Sequence, residues 1–188
     1  MLTDDELKLL QAQYEEEQRQ LAAELRSVGI DVNSAWRVGK KHADKFAVAI
    51  PILLKHLHFN YSDRVREGIA RALGNRRAHA QAWDKVLGMY LKEPNTEKAG
   101  FKDGLADALA EMALPSDLPT LIQLLDEPGN GRTRVFFVHN LSRSRKPEAL
   151  AALLRNQNDP QLKPEISHVL HQKELRAART GKITDTQH

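Results

Sequence analysis

Cysteine is absent from the 188-residue sequence, which excludes disulfide bonds and thiolate metal sites and fits a reducing compartment. Aromatic residues make up only 5% of the chain, so stacked amphipathic helices are favoured over a sheet-based core. The longest uncharged apolar run spans residues 46–54, far short of the ~20 residues that cross a membrane. The N-terminal residues are acidic and lack the segments of a signal peptide. These shortages predict a soluble, cytoplasmic protein of the all-α class.

The charge is mildly positive overall, at a formal net +3, but it is unevenly distributed. Residues 1–42 carry 8 acidic and 6 basic groups, which is a net charge of −2. Residues 43–146 carry 12 acidic and 16 basic groups, net +4, and residues 147–188 carry 5 acidic and 6 basic groups, net +1. The net positive charge of residues 43–146 permits binding to nucleic acid or to an acidic protein without requiring either.

One spacing of apolar residues, at i, i+4, i+5 and i+8, occurs four times along the chain. A second helical pattern lies upstream of each set. Two helices per unit, repeated at intervals of 29 to 36 residues, predict an α-solenoid, or superhelix, of about four helix pairs. The four sets begin at Val65, Phe101, Thr133 and Leu162.

Helix and turn signals divide the chain into three parts. Thr3 and Glu6 form the pattern of a capping box, which predicts one long helix to about Arg26 within an N-terminal helical cap, residues 1–42. The repeat domain spans residues 43–176, and residues 177–188, which have little to bury, predict a flexible tail. The predicted helix pairs are 44–57 with 62–73, 78–92 with 97–113, 116–126 with 132–143, and 147–155 with 161–175.

The second helices of these pairs resemble those of HEAT repeats. Asp63-Arg-Val-Arg66 places an acidic turn, an apolar residue and a basic residue ahead of the core positions, and Asn158-Asp-Pro-Gln-Leu-Lys163 repeats this order. The resemblance covers about residues 44–172. The second and third units lack the Asp-Pro turn, and residues 1–42 match no repeat.

The resemblance implies a curved stack whose second helices line a concave inner face. It also implies diverse roles, since HEAT-repeat proteins include scaffolds, transport adaptors, nucleic-acid binders, toxin-neutralising proteins and one branch of alkylpurine DNA glycosylases. The resemblance is therefore specific for the fold and leaves the function open.

A basic residue recurs in register in all four units, and we call this set the cation ladder: Arg66, Lys102, Arg134 and Lys163. At about 10 Å apart, the usual distance between packed helices, these cations would bind an acidic or helical segment of a protein partner on the concave face. The alternative is structural: each cation hydrogen-bonds a turn carboxylate such as Asp63 or Asp159. The two interpretations are compatible where the ends of the side chains stay accessible.

Other cations lie at predicted turns and helix ends, where they either offset the helix macrodipole or form an edge that binds phosphates. No groove-reading motif accompanies them. Phe137 is in core register, so Phe136 points about 100° away and either packs on an adjacent repeat or supplies an aromatic anchor to a binding face. The candidate phosphate-binding edge comprises Arg64, Arg71, Arg76, Arg77, Arg143, Arg145 and Lys146.

Patterns for catalysis and metal binding are weak. The sequence has no Gly-x-Ser-x-Gly elbow and no glycine-rich phosphate loop. Glu165, His168 and His171 include neighbours on one helical face, but no second Glu-x-x-His motif accompanies them, so we predict neither a metal site nor a cofactor. A HEAT-type glycosylase needs an Asp beside aromatic residues, and the sequence does not bring Trp36 or Trp83 to one.

The leading hypothesis is a non-enzymatic protein-interaction module or adaptor that uses the cation ladder and Phe136. One alternative is nucleic-acid binding, with base-excision chemistry if the chain is related to the glycosylases. Another is a small immunity or inhibitor protein. A monomer is favoured, although residues 4–28 could form a dimerising helix.

Overall fold

The structure, a computed structural model, describes residues 3–38 and 43–184, with side chains described for residues 3–38 and 44–176. Regular structure within these residues is helical and includes no strand, so the all-α prediction is confirmed. The chain divides into two compact units, Met1–Leu114 and Pro115–His188. The first contains α1 (Asp4–Glu17), α2 (Arg19–Ser27), α3 (Phe46–His56), α4 (Asp63–Ala72), α5 (His79–Lys92) and α6 (Phe101–Met112). The second contains α7 (Leu118–Asp126), α8 (Val135–Arg143), α9 (Pro147–Arg155) and α10 (Lys163–Thr184).

Helices α3 to α10 lie where the apolar periodicity predicts eight helices, and most bounds agree to within a few residues. Helix α5 ends before Glu93, whose backbone is extended, because the residue before a proline disfavours helical geometry. Helix α10 continues to Thr184, so residues 177–184 are helical where the sequence predicts a tail. The remaining tail residues, 185–188, and the predicted domain boundary at residue 42 lie outside the described residues.

The predicted N-terminal helix is in fact two helices, α1 and α2, separated at Gln18. The capping box is confirmed, since Glu6 accepts from the Thr3 N–H at 2.7 Å and Thr3 accepts from the Glu6 N–H at 3.3 Å. Gln18 is buried. Its amide group donates to the Tyr14 carbonyl at 3.0 Å and accepts from the Ala35 N–H at 2.9 Å. The backbone of Gln18, at φ −89° and ψ 7°, departs from helical geometry at a position that the sequence pattern leaves helical.

In the first unit, helices α4 and α6 pack closely along each other. Gly104 of α6 makes this approach possible, because a Cβ atom there would lie 2.6 Å from the carbonyl oxygen of Glu67 on α4. Helix α3 contacts α4 and α5, and α5 contacts α6. Helix α2 packs on α3. These contacts bury a core that includes Leu25, Leu53, Ile69, Val86 and Leu105.

The start of α6 is held by two carboxylates. Asp63, at the start of α4, accepts a hydrogen bond from the Phe101 N–H at 3.1 Å. Asp103 accepts one from the Gly100 N–H at 2.9 Å. A side chain at residue 100 would collide with the Asp63 carboxylate. Negative charge at a helix N-terminus is favourable, so Asp63 both caps α6 and links it to α4.

In the second unit, α8 contacts each of the other three helices, and α7 also contacts α9. The loop before α8 is closed by Asn130, whose amide donates to the Leu124 carbonyl at 2.9 Å. The buried side chains of this unit include Leu121, Leu125, Phe137, Leu141, Ala149, Leu153, Leu162 and Ile166.

The close contact between α4 and α6 predicts opposite effects for two glycine-to-alanine changes. Gly104→Ala forces the Glu67 backbone to move and should destabilise the protein by about 1–3 kcal/mol. Gly88→Ala is the matched control: Gly88 lies inside α5 with no atom near its Cβ position, so the change should stabilise by about 0.5–1 kcal/mol. Urea unfolding followed by circular dichroism measures both, and equal stability of the two variants would contradict this packing.

Candidate protein-binding groove

An open groove of about 340 Å³ lies between α1 and the segment that carries Trp36, and we call it the N-terminal groove. One wall is an apolar stripe of α1, formed by Leu7, Leu10 and Tyr14 at i, i+3 and i+7. The facing wall contributes Trp36 and Val65. The polar residues that line the groove are Gln11, Glu15, Gln18, Ser34, Arg37 and Arg64.

The apolar stripe of α1 is only partly covered. No residue of α1 is buried. The side chain of Leu7 is 49% exposed, and Leu10 and Tyr14 are half-buried. Helix α2 buries Leu21 and Leu25, so the two helices of the N-terminal segment differ in burial: α2 is packed into the unit and α1 is partly exposed.

Trp36 forms the centre of the facing wall and is 41% exposed. It lies in a short 3-10 turn, Ala35–Arg37. Its indole ring rests against Gly68 of α4, where any Cβ atom would collide with the ring. The guanidinium of Arg64 lies 4.1 Å from the ring centroid, within the range of a cation–π contact. Trp36 is thus held on α4 with one part open to the groove.

A buried carboxylate of α4 supports the wall that carries Trp36. Glu67 on α4 is 3% exposed and accepts hydrogen bonds from Arg64 and Arg71, each at 3.0 Å. Arg71 also pairs with Asp107 of α6 at 3.1 Å. Burial raises the pKa of Asp107, and the Arg71 guanidinium opposes that rise. Arg64 and Arg71, both predicted for a phosphate-binding edge, are therefore engaged by carboxylates.

The first two cations of the ladder lie around the start of α6. The guanidinium of Arg66 lies 3.6 Å from the Phe101 ring centroid, and its nearest contact with Glu93 is 3.7 Å. Lys102 is only 7% exposed, with its ammonium 5.0 Å from the Tyr90 ring centroid. Burial lowers the pKa of Lys102, while Glu93 opposes that shift. Lys102 is too deeply buried for contact with a protein partner, which corrects its prediction as a partner-binding residue.

The other two cations differ from each other. Arg134 is 3% exposed and donates to Asp159 at 2.8 Å, to Gln161 at 3.2 Å and to the Gly131 carbonyl at 3.0 Å. The structural alternative, a bond to Asp159, is therefore confirmed for Arg134, and its role as a partner-binding residue is corrected. Lys163 is exposed at the start of α10. The ladder is thus not a uniform row of accessible cations.

The remaining predicted cations are divided between the two units. Arg76 and Arg77 are exposed in a 3-10 turn of the first unit. The cations at the end of α8, Arg143, Arg145 and Lys146, are exposed in the second unit. Phe136 of α8 is half-buried beside the fully buried Phe137, which agrees with their predicted difference in direction.

A buried histidine of α3, His56, lies beside Glu24 of α2 in the N-terminal segment. Nδ1 of His56, which is fully buried, lies 2.6 Å from the Tyr61 hydroxyl, and Nε2 lies 3.3 Å from a Glu24 oxygen without the alignment of a hydrogen bond. Glu24 also accepts from Lys55 at 2.7 Å. Burial lowers the pKa of His56, and Glu24 only partly opposes this. Glu17, at the end of α1, accepts from the Ser62 hydroxyl at 2.7 Å.

Within the residues that the structure describes, no three His, Asp or Glu side chains converge as a metal-ligand set. Glu165 is instead close to His139, at 2.9 Å. None of the helices in residues 3–38 and 43–184 combines the length and apolarity of a membrane span.

The chain matches no protein-family model, no curated protein and no solved structure to which it has been compared. Function is therefore inferred from the groove itself. The sequence contains one signal for it, the i, i+3, i+7 spacing of Leu7, Leu10 and Tyr14. The sequence contains no signal for the facing wall, because Trp36, Arg64 and Gly68 come together only through tertiary packing.

The contact between Arg134 and Asp159 predicts a structural role for one cation of the ladder. Arg134→Met removes three hydrogen bonds and should destabilise the protein by on the order of 2 kcal/mol. Lys163→Met, the same change at an exposed cation, should leave stability within ~0.5 kcal/mol. Chemical unfolding of both variants measures this difference. If Arg134→Met were as stable as the parent protein, Arg134 would not hold the start of α8.

The buried His56 predicts acid sensitivity. The folded protein disfavours a protonated His56 whereas the unfolded chain accepts the proton, so stability is present above the ordinary pKa of 6.5 and is lost as pH falls through the lowered folded value. His56→Gln should be less stable at neutral pH, with a shallower loss on acidification. His58→Gln, at an exposed neighbour, should keep the parental slope. Melting temperatures between pH 5 and pH 8 test this, and identical slopes for all three proteins would contradict it.

Proposed function

We propose that this protein is a non-enzymatic protein-interaction module, or adaptor, that binds an amphipathic helical segment of a partner in the N-terminal groove. The observation that carries the proposal is the partly exposed apolar stripe of α1 opposite Trp36, with Arg37 and Arg64 lining the same groove. A helix docked in such a groove is a common mode of peptide recognition, in which apolar residues at i, i+3 and i+7 supply the anchors.

The proposed scaffold is an α-solenoid of HEAT-like helix pairs. Within the first unit, the first helices of consecutive pairs, α3 and α5, contact each other, and so do the second helices, α4 and α6. Within the second unit the same holds for α7 with α9 and for α8 with α10. Two-layer stacking of this kind supports the HEAT resemblance, since each repeat of a solenoid contacts its neighbours.

The composition of the groove defines the partner that we propose. Tryptophan and arginine are the residue types that most often dominate binding energy at interfaces, and Trp36 and Arg64 meet here. Arg37 is exposed and makes no ion pair within the described residues. A partner helix with an apolar stripe and a carboxylate near Arg37 would satisfy both walls. The partner thus keeps the acidic, helical character expected from the sequence, but its proposed site moves from the cation ladder to the N-terminal groove.

A second candidate, DNA binding with base excision, draws on one constellation. Arg71 lies between Trp36, whose ring centroid is 5.8 Å away, and Asp107, at 3.1 Å. Arg71 thus links an aromatic residue and a carboxylate that the sequence alone does not bring together. Binding through phosphates would weaken steeply with salt. A salt titration with short duplex and single-stranded DNA tests this candidate, and no binding at low salt would reject it.

An immunity or inhibitor protein would use the N-terminal groove in the same way as an adaptor.

The N-terminal groove predicts different effects for two leucines of α1. Leu7 lines the groove, whereas Leu9, 62% exposed, does not. The tagged full chain should capture a stoichiometric protein from native lysate in the presence of nuclease. Leu7→Asp should lose that protein, because a charge would face the apolar stripe of the partner, and Leu9→Asp should retain it. Capture that is equal for both variants, or that disappears with nuclease, would contradict binding in the groove.

A further inference from the structure

The bonds that join helix α1 to the rest of the first unit lie at its C-terminal end. The helix has 14 residues and is about 21 Å long. Glu17, its last residue, accepts from the Ser62 hydroxyl at 2.7 Å, and the next residue, Gln18, accepts from the Ala35 N–H at 2.9 Å. The opposite end is closed by the capping box of the helix itself, which satisfies amides of the first turn without a neighbouring element.

Burial along α1 increases toward Gln18. Leu7 is 49% exposed, Leu10 and Tyr14 are half-buried, and Gln18 is buried. The cover of the helix therefore decreases with distance from Gln18. Because α1 has no buried residue, apolar packing opposes its displacement only weakly.

Gln18 is placed as a hinge. Its backbone, at φ −89° and ψ 7°, separates α1 from α2, and α2 is fixed in the unit by the buried Leu21 and Leu25. Hinges are commonly a few residues at the ends of elements that absorb a change in φ and ψ. A turn of about 15° at Gln18 would move the far end of a helix of this length by about 5 Å.

The two walls of the N-terminal groove carry charge of opposite sign. Helix α1 contains six acidic residues and one basic residue. The facing wall contains Arg37, which is exposed, and Arg64, which is bonded to Glu67. Attraction between the walls opposes wide opening, and a segment that enters the groove would gain apolar cover from both Leu7 and Trp36.

We propose that α1 is a hinged arm that turns about Gln18, is held by the bonds between Glu17 and Ser62, and closes the N-terminal groove over a bound segment. The closing step rests on the proposed function of the groove, whereas the hinge is a property of the free protein. The position of α1 then sets the width of the groove, and an arm that closes on its ligand is a common device for retaining it.

Distances between pairs of spin labels, measured by double electron–electron resonance, test the hinge in the free full chain. The chain has no cysteine, so labels attach only to introduced ones. Leu9→Cys on α1 and Ala23→Cys on α2 are each combined with Gln81→Cys on α5, and all three positions are exposed. The distribution from Leu9→Cys should be about 5 Å wider than that from Ala23→Cys. Equal widths overturn the proposal.

A label pair within α1 separates a hinge motion from unfolding of the helix. Asp5→Cys and Glu16→Cys lie about 16 Å apart along the helix axis. A rigid arm keeps its internal distances, so this pair should give a narrow distribution while the Leu9→Cys pair gives a wide one. A wide distribution for the pair within α1 would show that the helix unfolds, and it overturns the hinged arm.

The role of Glu17 is tested in the chain labelled at Leu9→Cys and Gln81→Cys. Glu17→Ala should widen the distance distribution further, because the Glu17 carboxylate accepts from both the backbone N–H and the hydroxyl of Ser62. Glu16→Ala is the matched control, since the bond of Glu16 to Arg19 is exposed and local and contributes little. Equal widths in the two variants overturn the role of Glu17 in holding the arm.

The hinge and the proposed function can fail separately. Equal widths from Leu9→Cys and Ala23→Cys, with capture of a lysate protein that depends on Leu7, would reject the hinged arm and keep the groove as a binding site. A wide distribution from Leu9→Cys, with capture that does not depend on Leu7, would keep the hinge and reject both binding in the groove and closure over a bound segment.

Discussion

The N-terminal groove depends on the bonds between the Glu67 carboxylate and two arginines. The carboxylate is buried in α4, where an unpaired charge would be strongly unfavourable, and the two arginines neutralise it. Arg64 extends from this carboxylate to lie over Trp36, and Arg71 extends to Asp107 of α6. The same residue therefore orients one wall of the groove and ties it to the helix that packs along α4.

Burial divides the cations of this chain into two groups. Arg134 and Lys102 lie almost wholly inside their units, and the bonds of Arg134 fix the start of α8. At the N-terminus, by contrast, the apolar stripe of α1 is partly exposed, and Arg37 is an exposed cation that lines the same groove. A partly exposed apolar stripe that lines a groove is a feature expected of a protein that associates through that surface.

Periodicity predicts the helices of this chain well, because the buried apolar residues of α3 to α10 recur at helical spacing. It predicts the site poorly. The N-terminal helix is interrupted at Gln18, whose side chain bonds to Ala35, 17 residues away in sequence. The register of Lys102 and Arg134 is visible in the sequence, but whether a long cationic side chain points outward or folds onto Tyr90 or Asp159 is decided by packing. Trp36 acquires its role only by resting on Gly68.

Hydrogen–deuterium exchange of the full chain, alone and in its complex, tests the central claim most directly. Because α1 buries no side chain, its amides should exchange rapidly in the dilute, isolated protein. The account predicts that complex formation with a captured protein protects α1 together with the turn that carries Trp36. Protection confined to the start of α6 or to the start of α10, with α1 still exchanging rapidly, would place the binding surface on the cation ladder and contradict the account.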